Sequence, residues 1–224
     1  MSAEETRHVV LMVLSAPTGG GKTTIARHLV DSDERLRFSI SHTTRPPRPR
    51  EVSDRDYHFV SRSRFEAMAK KGEFLEWAEV HGHLYGTHRS EYERAENDGK
   101  DLVLDIDVQG GLQVRQAFPD ATLVFILPPS LDVLLTRLEG RAREGGFDLA
   151  KRLSTALHEL EYAGEYGYNV KNMDLADAVE DVRCILAAAR RTPLGAVSLV
   201  EHLREEIATW LRSHHVPGQS KGRK

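Results

Sequence analysis

Residues 14–26 read LSAPTGGGKTTIA, and what this stretch does decides the fold. A loop that cradles nucleotide phosphates has the form G-x-x-x-x-G-K-[ST]: its glycines let backbone N–H groups converge on phosphate oxygens, and the lysine adds a point charge. Gly21, Lys22 and Thr23 supply the second half in register, while Ala16 stands where the opening glycine would be. That position needs a tight turn more than close approach to phosphate, and alanine is small. The bland alternative is a glycine turn that happens to precede lysine. The flanks decide against it. VVLMVL (9–14) is a continuous apolar run, as in a strand buried on both faces, and Ile25, Ala26, Leu29 and Val30 recur at helical spacing after the loop.

Working outward, LVLDID (102–107) and ATLVFIL (121–127) are two more buried-strand candidates, separated by the short helical stretch VQGGLQVRQAF. Strands alternating with helices imply βαβ units. The expected class is α/β: a P-loop NTPase-type parallel sheet flanked by helices, with its core at about 8–37 and 93–190. Residues 38–92 differ in character and read as an inserted, mostly-β subdomain. FSISHTTRPPRPRE (38–51) is rich in proline and arginine, SRFEAMAKK (63–71) has Ser63 and Glu66 as a capping box, and EFLEWAEVHGHLYG (73–86) suggests a hairpin. Helices are expected near 131–142, 148–164 and 174–190. A last amphipathic helix carries Val200, Leu203, Ile207, Trp210 and Leu211 on one face, with Ser198 and Glu201 as its cap. Trp210 would dock on the core or on a second subunit, and the tail PGQSKGRK is expected to be disordered.

Several residues in these segments carry chemistry. Three prolines in 46–49 favour an extended path on which Arg45, Arg48 and Glu51 face one way: a guanidinium fork for a phosphate dianion, or a solvated basic loop. Alternation in EFLEWAEV puts Phe74, Glu76, Ala78 and Val80 on one face. Glu76 would then be a carboxylate among apolar neighbours, suited to the N1–H and 2-amino group of guanine; otherwise Trp77 points inward and Glu76 is exposed. Tyr85 and Thr87 add hydroxyls to the same pocket. Asp105 and Asp107 share a face at a strand end, where one can reach a Mg2+ shell through water and the other a base, or where they merely cap the next helix. Arg137 and Arg141 lie four apart on a helix, EGGF follows, and Arg152 is on the next helix. That pattern suits a lid closing over phosphates, although exposed helical arginines also serve solubility.

Bulk properties narrow the classes. The 224 residues carry a net charge of −3, with 40% hydrophobic and 29% charged residues, an ordinary globular composition without a whole-chain argument for nucleic acid. A single cysteine, Cys184, precludes an intrachain disulfide and a cysteine zinc cluster, which fits a reducing cytosol. The polar start MSAEETRH is unlike a signal peptide, and no apolar run reaches membrane-span length.

SHTTRPPRPRE, DYHFV, GEFLEWAEVHGHLYGT, LDIDVQG and FILPPS occur in an order and spacing that resemble the guanylate kinase family over about residues 8–190. The resemblance implies transfer of the γ-phosphoryl group of ATP to GMP in one domain with a lid at about 137–152 and a C-terminal helix and basic tail at 191–224. It implies GMP on Ser41, Arg45, Arg48, Glu51, Tyr57, Glu76, Tyr85, Thr87 and Asp107. ATP phosphates fall to Thr18, Gly19, Gly20, Gly21, Lys22, Thr23 and Thr24, with adenine against Asn172. Lys22, Arg48, Arg141 and Arg152 become catalytic cations with Arg137 as a further one, and Mg2+ goes to Thr23 and, directly or through water, to Asp105. It further implies a cytoplasmic monomer or homodimer with no membrane or nucleic-acid partner. Departures are Ala16, Arg50, Met173 after Asn172, and GRAREGGF in the lid. Two rivals are a catalytically silent protein-interaction module of the same fold, which typically lacks the complete loop present here, and a GTP-hydrolysing switch, whose N-K-x-D motif is missing.

Overall fold

The apolar run before the glycine loop forms β1 (Leu11–Ser15), buried along its whole length. In the computed structural model, which describes residues 9–49, 51–142, 149–191 and 193–213, and only the backbone of 141–142, 193–199 and 211, β1 is the centre of a wholly parallel five-stranded sheet. Its neighbours are β7 (Asp101–Asp105) and β8 (Thr122–Leu127), with β2 (Leu36–Phe38) and β9 (Tyr168–Lys171) at the two edges. Side chains alternate across a strand. Met12 and Leu14 therefore join one core, with Ile25 and Leu29 of α1 (Lys22–Asp31) and Val182 and Leu186 of α7 (Leu175–Ala189). Leu11 and Val13 join the other, with Ala95 of α3 (Arg89–Asn97) and Val114 of α4 (Val108–Ala117).

A second sheet lies between β2 and α3 in the chain, in the order β4 (His58–Phe59), β3 (His42–Thr43), β6 (His83–His88), β5 (Phe74–Val80). It is mixed: β3 and β4 run parallel, the other pairs antiparallel. Helix α2 (Arg62–Lys70) covers it by packing Phe65 against Phe74 and Leu84. The expected hairpin is present, turning through His81 and Gly82, both at positive φ as a two-residue hairpin turn requires. Gln113 of α4 ties this sheet to the core: its side-chain amide accepts from Trp77 N at 3.1 Å and donates to Trp77 O at 2.9 Å. Helices α5 (Leu131–Ala142) and α6 (Leu149–Leu160) follow β8, then a 3-10 turn (Glu161–Glu165), and α8 (Pro193–Ser213) ends the described chain.

Four details depart from the sequence reading. The α2 cap is Ser61, whose hydroxyl accepts from Arg64 N, so Ser63 sits inside the first turn and Glu66 pairs with Arg62 instead. A bulge between Phe74 and Glu76 shifts the phase of β5, so that Phe74 and Trp77 both meet the Phe65 ring while Glu76 turns the other way. Strand β7 stops at Asp105, and Asp107 caps α4 by accepting from Gly110 N at 2.8 Å. Finally, α8 begins at Pro193, a residue suited to a first turn, which leaves Ser198 inside the helix. Its Val200, Leu203, Ile207 and Trp210 are exposed. The PGQSKGRK tail, Arg50, the EGGF segment and the Arg141 side chain lie outside what is described.

Arg190 at the end of α7 holds three elements together. It donates to Asp33 beyond α1 at 2.8 Å and to the fully buried Asp101 at 2.6 Å, and Asp101 in turn accepts from Val10 N. Removing the guanidinium from beside a buried carboxylate should cost about 3 kcal/mol. Urea unfolding of Arg190→Met measures this; a loss no larger than that of an ordinary surface substitution would contradict it.

Candidate active site

The glycine loop turns at the carboxyl end of β1, the end of an open parallel sheet where ligands gather. Gly19 and Gly21 hold positive φ of 91° and 96°. Gly20 needs its missing side chain for another reason, since a Cβ there would lie 2.7 Å from the Ala16 Cβ and 2.9 Å from Pro17 O. Ala16 is thus accommodated in place of glycine by the glycine four residues on. Helix α1 starts at Lys22 without any side-chain cap, so its first N–H groups face the loop mouth, the arrangement that binds anions. Thr23 and Thr24 sit exposed in that first turn.

Lys22 Nζ is 2.9 Å from Asp105 Oδ1 at the end of β7. Burial alone would lower the lysine's pKa, but the Asp105 charge and hydrogen bond more than reverse this and keep it raised. The cation is therefore permanent and is held beside the end of β7. Asn172, just after β9, donates its side-chain amide to Gly20 O at 2.9 Å, and Arg137 donates to Gly20 O at 3.2 Å and to Asn172 O at 3.4 Å. Both residues brace the loop in this structure. Arg152 is buried on α6, beside the hairpin tip: burial, then the Arg152 and Lys151 charges, holds the His81 imidazole below its usual range.

The second cluster belongs to the smaller sheet. Arg45 grips Glu51 through a two-pronged fork at 2.9 and 2.8 Å, and its Nε donates to Tyr85 Oη at 3.2 Å. Glu51 also accepts from Arg48 N at 2.7 Å, leaving the Arg48 side chain exposed. Burial would push the Glu51 carboxyl up, but these donors outweigh it and hold it below the usual range. Arg45 is thus a held cation, while the chain closes a turn at Arg48–Glu51, Glu51 N donating to Arg48 O at 3.0 Å, instead of continuing the extended path expected from the prolines.

Glu76 is 4% exposed and Trp77 44%, so the carboxylate is the inward residue. Thr87 N donates to its Oε1 at 2.9 Å. On the other side it presses on Gly110 of α4, where any Cβ would stand 2.4 Å from Glu76 Oε2. Burial pushes the Glu76 carboxyl up to about 7, helped by the nearby Asp107 charge and opposed by Thr87 and Lys22. Ser41, one residue before β3, is also buried, and its carbonyl accepts from His58 N. Tyr57 links the clusters. Its hydroxyl, pushed up by burial, feels Asp105 and Lys22 from the glycine loop side and Tyr85 and Arg45 from the smaller sheet.

Sequence reasoning missed Glu159, Gly110 and Gln113, which touch the site through contacts between distant segments. The only sequence signal for Glu159 is its position seven residues after Arg152 on one helix.

A parallel sheet whose central strand feeds a glycine loop, a half-buried lysine and an uncapped helix, with a second cationic cluster on an inserted sheet, defines a P-loop nucleotide-binding protein of the phosphotransferase class. A family model described as guanylate kinase matches residues 8–189. The chain is 45% identical over 181 residues to the guanylate kinase of Thiobacillus denitrificans, covering 81% of this chain and 87% of that one. It is 47% identical over 190 residues to that of Chelativorans sp., covering 84% and 87%. The crystal structure of guanylate kinase from Anaplasma phagocytophilum superposes with a TM-score of 0.73 at 30% identity, over 90% of this chain and 96% of that one. The chain belongs to the guanylate kinase family.

The Glu76 environment is directly measurable. Carbon-detected NMR of the side-chain carboxyl should give a titration midpoint near 7 in the empty protein. A midpoint at the ordinary glutamate value would mean that the pocket is open to water.

Proposed function

We propose that the reaction of the family, transfer of the γ-phosphoryl group of ATP to GMP to give ADP and GDP, runs in line here between ATP on the glycine loop and GMP on the smaller sheet. What supports it most is that Tyr57, whose ring lies 5.4 Å from the Arg45 guanidinium and 6.0 Å from the Tyr85 ring, also responds to the charges of Asp105 and Lys22 on the glycine-loop side. Thr18 to Thr24 and the N-terminus of α1 hold the ATP phosphates, and Asn172 lies beside the adenine. Arg45 and Arg48, steadied by Glu51, take the GMP phosphate with Ser41, Tyr57 and Tyr85. Glu76, Thr87 and Asp107 read the guanine edge.

The phosphate of GMP is already a competent nucleophile near neutral pH, so no general base is needed. The residues work by positioning and by charge neutralisation, with Lys22, Arg48, Arg137, Arg141 and Arg152 around the transferring group. The Thr23 hydroxyl and Asp105 carboxylate offer hard oxygen donors at the loop mouth, a set that fits Mg2+. Among the described residues no cluster of three or more His, Cys, Asp or Glu could hold a metal, so most ligands of such an ion come from phosphate and water. When bound, Mg2+ supplies charge neutralisation on the phosphate oxygens.

The domain works as a core at about 8–37 and 93–190, an acceptor insertion at 38–92, a lid at 137–152 and a C-terminal extension from 191. It acts as a monomer or homodimer in the cytoplasm, without a membrane or nucleic-acid partner. No helix among the described residues is long and apolar enough to cross a membrane.

A coupled ADP-release assay with GMP, AMP or UMP as acceptor tests the reading. GMP should be preferred by roughly 10⁴ or more over AMP, whose ring nitrogen presents an acceptor to buried carboxylates. Lys22→Ala should abolish turnover and leave GMP affinity nearly intact; equal loss of both would contradict separate sites. A pH series checks the base pocket. Neutral Glu76 is a poorer acceptor for guanine N–H groups, so GMP affinity should fall about tenfold from pH 8 to pH 6. Glu76→Gln carries the same ligand titration without the residue's own, and its curve should be flatter. Parallel curves would remove Glu76 from the pocket.

A further inference from the structure

Helix α6 buries three residues, Arg152, Ala156 and Glu159, whose spacing of four and three puts them on one stripe. Ala156 packs with Leu134 and Leu138 of α5. Those same leucines are what a Cβ on Gly19 would strike, at 3.1 and 2.9 Å. At the far end of the stripe Glu159 Oε2 accepts from Thr18 N at 2.6 Å. Successive residues of the glycine loop are therefore held from the lid side: Thr18 by a carboxylate of α6, Gly19 by two leucines of α5, and Gly20 by Arg137.

A carboxylate that is 7% exposed is costly unless it does something an apolar side chain of the same size could not. Burial pushes the Glu159 carboxyl up, and the Thr18 contact, Lys22 and Asp107 act on it from the site itself. Its geometry is that of a pivot. Seven residues of helix separate Glu159 from Arg152, about 10 Å along the axis, so a tilt of roughly 6° about the Glu159 end moves Arg152 by about 1 Å.

We propose that Glu159 is a positioning residue for phosphoryl transfer: by holding the Thr18 amide it fixes α6 on the glycine loop, and so fixes where Arg152 stands relative to the donor phosphates. This rests on the reading of Arg152 as a catalytic arginine. Displacements of about 1 Å cost up to about 10²-fold in rate, which sets the expected scale.

The test compares kcat, KM for each nucleotide and calorimetric GMP binding for the wild type, Glu159→Ala, Glu159→Gln, Glu159→Asp, Arg152→Ala and the Arg152→Ala/Glu159→Ala double variant. Glu159→Ala should lower kcat by about 10- to 100-fold with GMP binding unchanged. Glu159→Gln, which keeps an acceptor at the same reach, should recover most of the rate. Glu159→Asp keeps the charge but is one methylene short, so it should resemble Ala, and it decides the matter if Ala does not fold. With Arg152 absent, removing Glu159 should cost little more, because two residues acting through one contact are not additive. Wild-type kcat in Ala or Asp, failure of Gln to rescue, or full additivity on top of Arg152→Ala would each overturn the proposal. If Arg152→Ala keeps wild-type turnover, the reading of Arg152 falls and this inference with it; if only the Glu159 variants are silent, the inference alone falls.

Discussion

The rest of the structure depends on how tightly other elements close around the backbone at residues 19–21. Two leucines of α5 approach Gly19, Ala16 and the Pro17 carbonyl approach Gly20, and the Asn172 amide lies 2.5 Å from where a Gly21 Cβ would be. Each approach would be blocked by any side chain. The loop is therefore braced from outside, since glycine itself has no preference for this shape. Ala16 is accepted for a reason inside the loop, the missing side chain of Gly20. The bracing also explains the layout of the fold: β1 delivers the loop, β9 delivers Asn172, and the α5–α6 pair closes over the other side.

The site then contains five acids that are buried or partly buried, and each has a defined partner. Asp105 pairs with Lys22, Glu51 with Arg45, Asp107 with the start of α4, Glu159 with Thr18, and Glu76 with the Thr87 amide. The first two hold cations in place before any nucleotide arrives, so little reorganisation is left for the reacting state. Glu76 differs, because one amide leaves most of its accepting capacity unused and burial raises its pKa. On the proposed reading guanine, with two adjacent N–H donors, answers that deficit better than any other common base, and specificity would follow from the unmet hydrogen bonds a wrong base would leave.

The outline of this arrangement is legible in the sequence because it rests on local patterns. A continuous apolar run, a glycine loop and a 3.6-residue period gave β1, the loop and α1. HG between two alternating runs gave the hairpin, and the RPPRPRE spacing brought Arg45 to Glu51. What stayed hidden depends on register or on distant contacts. One extra residue in β5 flips the phase, so Phe74 and Glu76 part company although alternation joins them. Ser61 and Ser63 both stand at the start of α2, and only the backbone angles choose Ser61 as the cap. Glu159 meets Thr18 across 141 residues of chain, and Gly110 on α4 owes its size limit to a carboxylate of the smaller sheet. No periodicity reports such contacts.

The central claim is that one cleft holds two nucleotides with their phosphates facing. A single ligand with adenosine and guanosine joined through five phosphates tests it most directly by calorimetry and competition. The account predicts displacement by ATP and by GMP alike, and an affinity about 10² or more above that of either nucleotide alone, as expected when one tether spans two sites. Displacement by only one of them, with the affinity of that nucleotide by itself, would show that the two clamps do not face each other.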